Sequence, residues 1–225
     1  MKRILAAIIA AALLLSGCTS ASRPAESAPP TGTPSPSPTP VVTPTPEPEP
    51  ADGELVLVRD YIPGIFIDLK YATTDNFTGR VIYDSDEAYL RYGTVKKLLC
   101  AQNELSGRGL SLKMWDAYRP VSAQFKLWEI CPNPVYVSDP NNGYSKHSRA
   151  NTVDITLVTD TGKSIPMPSG FDDFTSLADR DYSDVSDEAA ENARLLENVM
   201  VENGFVPYSG EWWHYSDSVA YDVYG

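Results

Sequence analysis

Apolar and polar positions change their period several times along this chain, and each change marks an element. ELVLVRDY (54–61) and GIFIDLKYA (64–72) read as strands or extended segments. In GTVKKLLCAQNELSGRG (93–109), Val95, Leu98, Leu99, Ala101 and Leu105 fall near helical spacing, with Gly107 as a C-terminal cap. LSLKMWDAY (110–118) alternates and is rich in strand formers. Ser122 is placed to cap a short helix to about Ile130. The Pro, Asn, Gly and Ser residues of 131–146 predict a long loop. TVDITLV (152–158) predicts a strand, closed by a turn at Asp160-Thr161-Gly162. Ser186 to Asn203 predicts a second helix, with Asp187 and Glu188 in its first turn and apolar Ala193, Leu195, Leu196, Val199 and Met200. FVPYS and EWWHYSD close the domain as strand-like segments. Helices and strands mix without regular βαβ alternation, so the fold class expected is α+β, with no internal repeat.

The first 52 residues break from this pattern. Lys2 and Arg3 precede an apolar run, Ile4 to Leu15, that is short for a permanent span. It ends in Leu15-Ser16-Gly17-Cys18, which resembles a bacterial lipobox. Residues 1–17 then form a lipoprotein signal peptide, and acyl chains on Cys18 anchor the mature chain to the outer face of the membrane. An ordinary cleaved signal with an incidental cysteine is the alternative. Residues 18–52 are dominated by Pro, Thr, Ser and Glu and bury too little apolar surface to fold. They predict an extended spacer that holds a folded domain, residues 53–225, in the cell wall.

The chain carries 18 basic against 30 acidic residues. That balance argues against a nucleic-acid partner, whose phosphates need clustered Lys and Arg, and the surplus acid serves solubility. Cys100 and Cys131 are left to pair or stay free, since neither has the spacing of a metal site.

Histidine is scarce: the chain holds only His147 and His214. Peptidase zinc sites combine imidazole with a carboxylate and leave one position open. His147 lies at the end of the long loop, and Asp154 follows inside a predicted strand. His214 lies in EWWHYSD beside Glu211. A His-Asp-His set is a sound shell for one zinc ion, although a histidine is also a common structural or surface residue. Trp212 and Trp213 predict a dry wall, where an unpaired Glu211 would be costly and a metal-activated water would give it work as a base. Arg119 ends the strand of MWDAYRP (114–120). It is suited either to stabilise an oxyanion or to pair with Asp116.

Five motifs in order now carry a resemblance: DLKYATTDNFTG (68–79), WDAYRP (115–120), SKHSRANTVDITL (145–157), PMPSGFDDF (166–174) and EWWHY (211–215). Over about residues 55–220 the chain resembles the D-alanyl-D-alanine dipeptidases of the vancomycin-resistance type, zinc metallopeptidases. The resemblance implies a compact α+β domain with a central antiparallel sheet and flanking helices, the hedgehog-like fold of the D-Ala metallopeptidases. It implies His147, Asp154 and His214 as zinc ligands, Glu211 as base and Arg119 as the arginine facing the transition state. It implies Tyr71, Ser145 and Asp172 as residues holding a small D,D-dipeptide, with Asp172 near its amino group.

Two features depart from the family. Its usual S-x-H-x-x-G-x-A-x-D carries Ala150 and Thr152 here in place of the glycine and the alanine. If the glycine position requires positive φ, Ala150 is strained. The second is location, since an anchored protein meets dipeptides and stem peptides in the wall. The rival readings are a D,D-carboxypeptidase trimming peptidoglycan stems, against which Trp212 speaks, and an inert wall-binding domain of the same fold.

Overall fold

The computed structural model describes residues 48–224. The signal peptide, Cys18 and most of the spacer lie outside these residues. Among those described, no helix is long and apolar enough to cross a membrane.

The strands are β1 (Leu55–Leu57), β2 (Phe66–Ile67), β3 (Tyr89–Arg91), β4 (Leu110–Asp116), β5 (Thr152–Thr159), β6 (Phe205–Tyr208) and β7 (Glu211–Asp217). The helices are α1 (Val58–Tyr61), α2 (Tyr92–Ser106), α3 (Val121–Ile130) and α4 (Asp187–Glu202). The class is α+β, as the mixed pattern implied. A five-stranded sheet runs β2-β4-β5-β7-β6, and β1 pairs with β3 apart from it. The main sheet is antiparallel except at one edge, where β2 runs parallel to β4.

The two long helices form where apolar spacing places them. Ser186 caps α4, its side chain accepting from Ala189 N, and Asp187 and Glu188 follow in the first turn. Helices α2 and α4 pack on each other and on β4 and β6. Leu98, Leu105, Leu196 and Met200 join Leu112, Met114, Val153, Ile155 and Leu157 in one core. Side chains alternate across a strand, so Asp154 faces away from Val153 and Ile155.

Local expectations differ in three places. The segments expected as extended, 54–61 and 64–72, are short strand pieces interrupted by α1 and by a 3-10 turn at Lys70–Ala72. Gly107 is the C-cap of α2, as expected, in a right-handed conformation, and the left-handed glycine is Gly109, at φ 72°. Helix α3 begins after Pro120, earlier than a Ser122 cap would place it; proline's fixed φ suits a helix start. β4 is buried on both faces along most of its length because it sits inside the sheet under a second layer. Cys100 and Cys131 are free.

Ala150 occupies the left-handed region, with φ 59° and ψ 29°, and is fully buried. The condition set by the motif is met, and the turn nonetheless holds. Ala150 N donates to His147 O at 3.0 Å, and Ala150 O accepts from Arg91 N at 2.8 Å. The tail crosses the same turn: Tyr224 N donates to Ser148 O at 2.8 Å and Arg149 Nη1 to Tyr221 O at 2.8 Å. A left-handed L-residue costs about 1–2 kcal/mol. Ala150→Gly deletes a buried methyl worth about 0.8 kcal/mol but relieves that strain, so it is expected to be close to neutral. Ala101→Gly deletes the same methyl at a fully buried helical position, adds a helix penalty, and is expected to lose about 2 kcal/mol. Urea unfolding of the two variants reads the difference; equal losses would mean Ala150 carries no strain.

Candidate active site

Three elements bring the predicted ligands together. His147 lies in a 3-10 turn, Lys146–Arg149, with Ser145 as its cap; the Ser145 hydroxyl accepts from His147 N at 3.3 Å. Asp154 and His214 are direct cross-strand partners of β5 and β7, so their side chains share a face. All three are buried. His147 Nε2 lies 3.4 Å from His214 Nδ1 and 3.2 Å from Asp154 Oδ2, and His214 Nδ1 lies 2.9 Å from Asp154 Oδ1.

This triangle fits a metal. His147 Nδ1 lies 2.9 Å from the Ala117 carbonyl, which can only accept, so Nδ1 carries a proton and Nε2 is the nitrogen left to face inward as a ligand once a metal displaces its proton. Electron-rich atoms gathered this closely out of water need positive charge among them. Zinc–nitrogen bonds of about 2.0–2.1 Å in a tetrahedron place ligand atoms about 3.3–3.4 Å apart, close to the two longer separations. Burial opposes ionisation of Asp154, but the two imidazoles outweigh it and hold its carboxyl well below the ordinary range. Burial likewise opposes charge on His147, and Asp154 and Asp116 overcome it to raise its pKa.

Glu211 opens β7, and its Oε2 is 3.5 Å from His214 Nδ1. Burial, then the charge of Asp154, pushes its pKa up. It borders a cavity of about 270 Å³ lined also by Ser145, Lys146, Tyr136, Tyr208 and His214.

Arg119 pairs with Asp116: Nε and Nη2 donate to Oδ2 at 3.1 and 2.7 Å, and Nη1 donates to Gln124 Oε1 at 3.0 Å. Its guanidinium lies over the Tyr71 ring, 5.0 Å from the centroid. The pairing alternative is therefore realised, yet one N–H on each terminal nitrogen remains uncommitted. Asp116 also accepts from Tyr83 OH at 2.5 Å and from Ala117 N, and its Oδ2 is 3.6 Å from His147 Nδ1. It connects the arginine to the ligand turn.

Tyr71 and Asp172 form a second cluster, with Tyr71 OH donating to Asp172 Oδ2 at 2.8 Å. Burial, with Asp154 adding to it against the Tyr71 hydrogen bond, raises the Asp172 pKa to about 7. Asp172 also sits at φ 52°. Phe171 beside it packs on Tyr71 and Trp115. Tyr136 and Phe174 stack at 4.3 Å, joining loop 131–145 to the loop that carries Asp172. Every predicted site residue in the described part thus falls in the metal triangle, in the cavity beside it, or in the Arg119–Tyr71–Asp172 chain.

Sequence reasoning missed Tyr83, Gln124 and Arg180. Tyr83 lies in coil and Gln124 on a helix face, with nothing local to single them out.

The model of the peptidase M15 family described as D-ala-D-ala dipeptidase matches residues 51–222. The chain belongs to this family. The D-alanyl-D-alanine dipeptidase of Escherichia coli (strain K12) is 38% identical over 162 residues, covering 72% of this chain and 83% of that one. The D-alanyl-D-alanine dipeptidase of Enterococcus faecium is 35% identical over 176 residues, covering 69% and 87%. That of Streptomyces coelicolor (strain ATCC BAA-471 / A3(2) / M145) is 36% identical over 188 residues, covering 73% and 91%. Family membership makes the chain a metallopeptidase, and the matched region contains the whole candidate site.

Proposed function

We propose that this dipeptidase-family chain is a zinc enzyme hydrolysing D-Ala-D-Ala or related D,D-dipeptides at the outer face of the membrane. The observation that carries the reading is the buried triangle of His147, Asp154 and His214 with the Glu211 carboxylate beside it. Zinc held there would supply a Lewis acid and lower the pKa of a bound water. Glu211, with its raised proton affinity, accepts the proton of the attacking water and returns it to the leaving amine. Arg119, fixed by Asp116 and Gln124, offers its two remaining N–H groups to the developing oxyanion. Asp172, supported by Tyr71, receives the substrate's amino group, and Ser145 lines the cavity that Glu211 and His214 border. The Tyr136–Phe174 stack spans the loops flanking the site and supports a short substrate over a long stem.

The test incubates the zinc-loaded full-length protein with D-Ala-D-Ala and, separately, with a pentapeptide stem. Alanine is expected from the dipeptide. Release from the stem alone would replace this reading with a D,D-carboxypeptidase. Release from neither, with Glu211→Ala indistinguishable from wild type, would support the inert wall-binding domain. The location rests on the leader and the Leu-Ser-Gly-Cys motif. Cys18→Ala is expected to move the protein from the membrane fraction to the medium, and unchanged membrane association would count against a lipid anchor.

A further inference from the structure

Arg180 lies in ADRDYSD (178–184), in the loop before α4, and no motif of the family resemblance includes it. Its side chain is 10% exposed, and its guanidinium is the hub of the β6–β7 hairpin. Nε donates to Tyr208 O at 2.7 Å, while Nη2 donates to Glu211 O at 3.0 Å and to His214 O at 3.1 Å. Nη1 donates to Glu197 Oε2 on α4 at 2.9 Å and to Tyr215 OH at 3.2 Å. The guanidinium carbon stands 4.6 Å from the Tyr215 ring centroid.

Three main-chain carbonyls therefore converge on one cation. Residues 211 and 214 would turn their carbonyls to opposite edges of a regular strand. The register of β6 on β7 shifts between Pro207 and Tyr208, where Tyr208 comes to face Glu211. That bulge bends the hairpin so that both carbonyls reach the same nitrogen. Without a donor there, converging carbonyl dipoles would repel and lose their hydrogen bonds. The approach of the loop is itself unusual, since Tyr182, two residues on, has a φ of 56°.

We propose that Arg180 is a positioning residue for the metal site: by holding the carbonyls of Glu211 and His214 together, it sets the distance between base and ligand. It rests on the reading of those two residues given above. Nothing in this role requires Arg180 to touch substrate. Lysine cannot replace it, because a single ammonium lacks the planar fork that serves Tyr208, Glu211, His214 and Glu197 at once.

The test uses the full-length protein and compares Arg180→Lys with Lys97→Met. Lys97 pairs with Asp217 at the far end of β7, so its loss weakens the same strand without touching the 211 and 214 carbonyls. Three quantities are measured: zinc affinity by chelator competition, kcat and KM on D-Ala-D-Ala, and the melting temperature. Arg180→Lys is expected to weaken zinc binding about 10-fold, as loss of a group orienting a ligand does. It is also expected to lower kcat about 100-fold, with KM changed by less than about 3-fold, as misplacement of a base does. Lys97→Met is expected to lower the melting temperature alone. If Arg180→Lys behaves like Lys97→Met, with zinc affinity and kcat intact, the proposal is overturned. Should the dipeptide not be a substrate, zinc affinity still decides, so the two readings fail separately. Should Arg180→Lys not fold, Tyr215→Phe removes one acceptor orienting the guanidinium; it is expected to weaken zinc binding about 3-fold, and unchanged affinity there would also overturn the proposal.

Discussion

Glu211→Gln is expected to lower kcat on D-Ala-D-Ala by about 10³-fold or more while one zinc ion stays bound. The substitution keeps the size and shape of the side chain and removes its ability to take a proton. General acid–base catalysis contributes about 10²–10⁴-fold, and here the same carboxylate would act twice, on the water and on the leaving amine. Burial and the neighbouring Asp154 already push its pKa up, which suits a proton acceptor working near neutrality. Steady-state kinetics with metal analysis on the same sample check this. Wild-type kcat in the variant would remove Glu211 from the chemistry, and loss of zinc together with activity would make it part of the metal shell.

The second large effect is on the metal itself. Asp154→Asn is expected to weaken zinc binding by more than about 100-fold, beyond the 10–100-fold typical of removing a group that merely orients a ligand. Asp154 is the only anion in the triangle, and both imidazoles lie against its two oxygens. The amide keeps the volume and an oxygen but loses the charge that makes the set attractive to a divalent ion. Zinc content after dialysis against buffer without chelator reads the effect. Stoichiometric zinc in the variant would move the ligand set away from Asp154.

Much of this arrangement was legible in the residues, for physical reasons that differ by element. Helices α2 and α4 announce themselves because one apolar stripe meets one core, and Ser186 and its two acids mark a start that needs only local chemistry. β5 and β7 are long enough for composition to identify them. Segments 54–72 were less legible, because β2 is two residues held parallel to β4, a pairing decided by distant chain. That His147, Asp154 and His214 come together was readable from motifs, and so was the stress at Ala150, since a glycine position in a tight turn implies a left-handed backbone. The supporting chemistry was not. Asp116 was weighed only as a partner for Arg119, while it also receives Tyr83 and approaches His147. Arg180 was invisible because its main partners are backbone carbonyls, which every residue possesses. Their convergence depends on a bulge that side-chain type does not encode.

β7 meets β5 only at Thr152–Ser216, Val153–Tyr215 and Asp154–His214, whereas β4 follows β5 along almost its full length. The last of those three rungs is also a pair of the proposed metal ligands. An ion bound there joins two strands and the turn of His147 in one clasp, linking positions 67 residues apart. A ligand that binds only the native state shifts the opening equilibrium in proportion to its free concentration, so the free energy of opening the hairpin follows the zinc supply. Scarcity of zinc would then be felt twice, first as lost turnover and then as a shortened lifetime, with a loosened hairpin presented to any protease nearby.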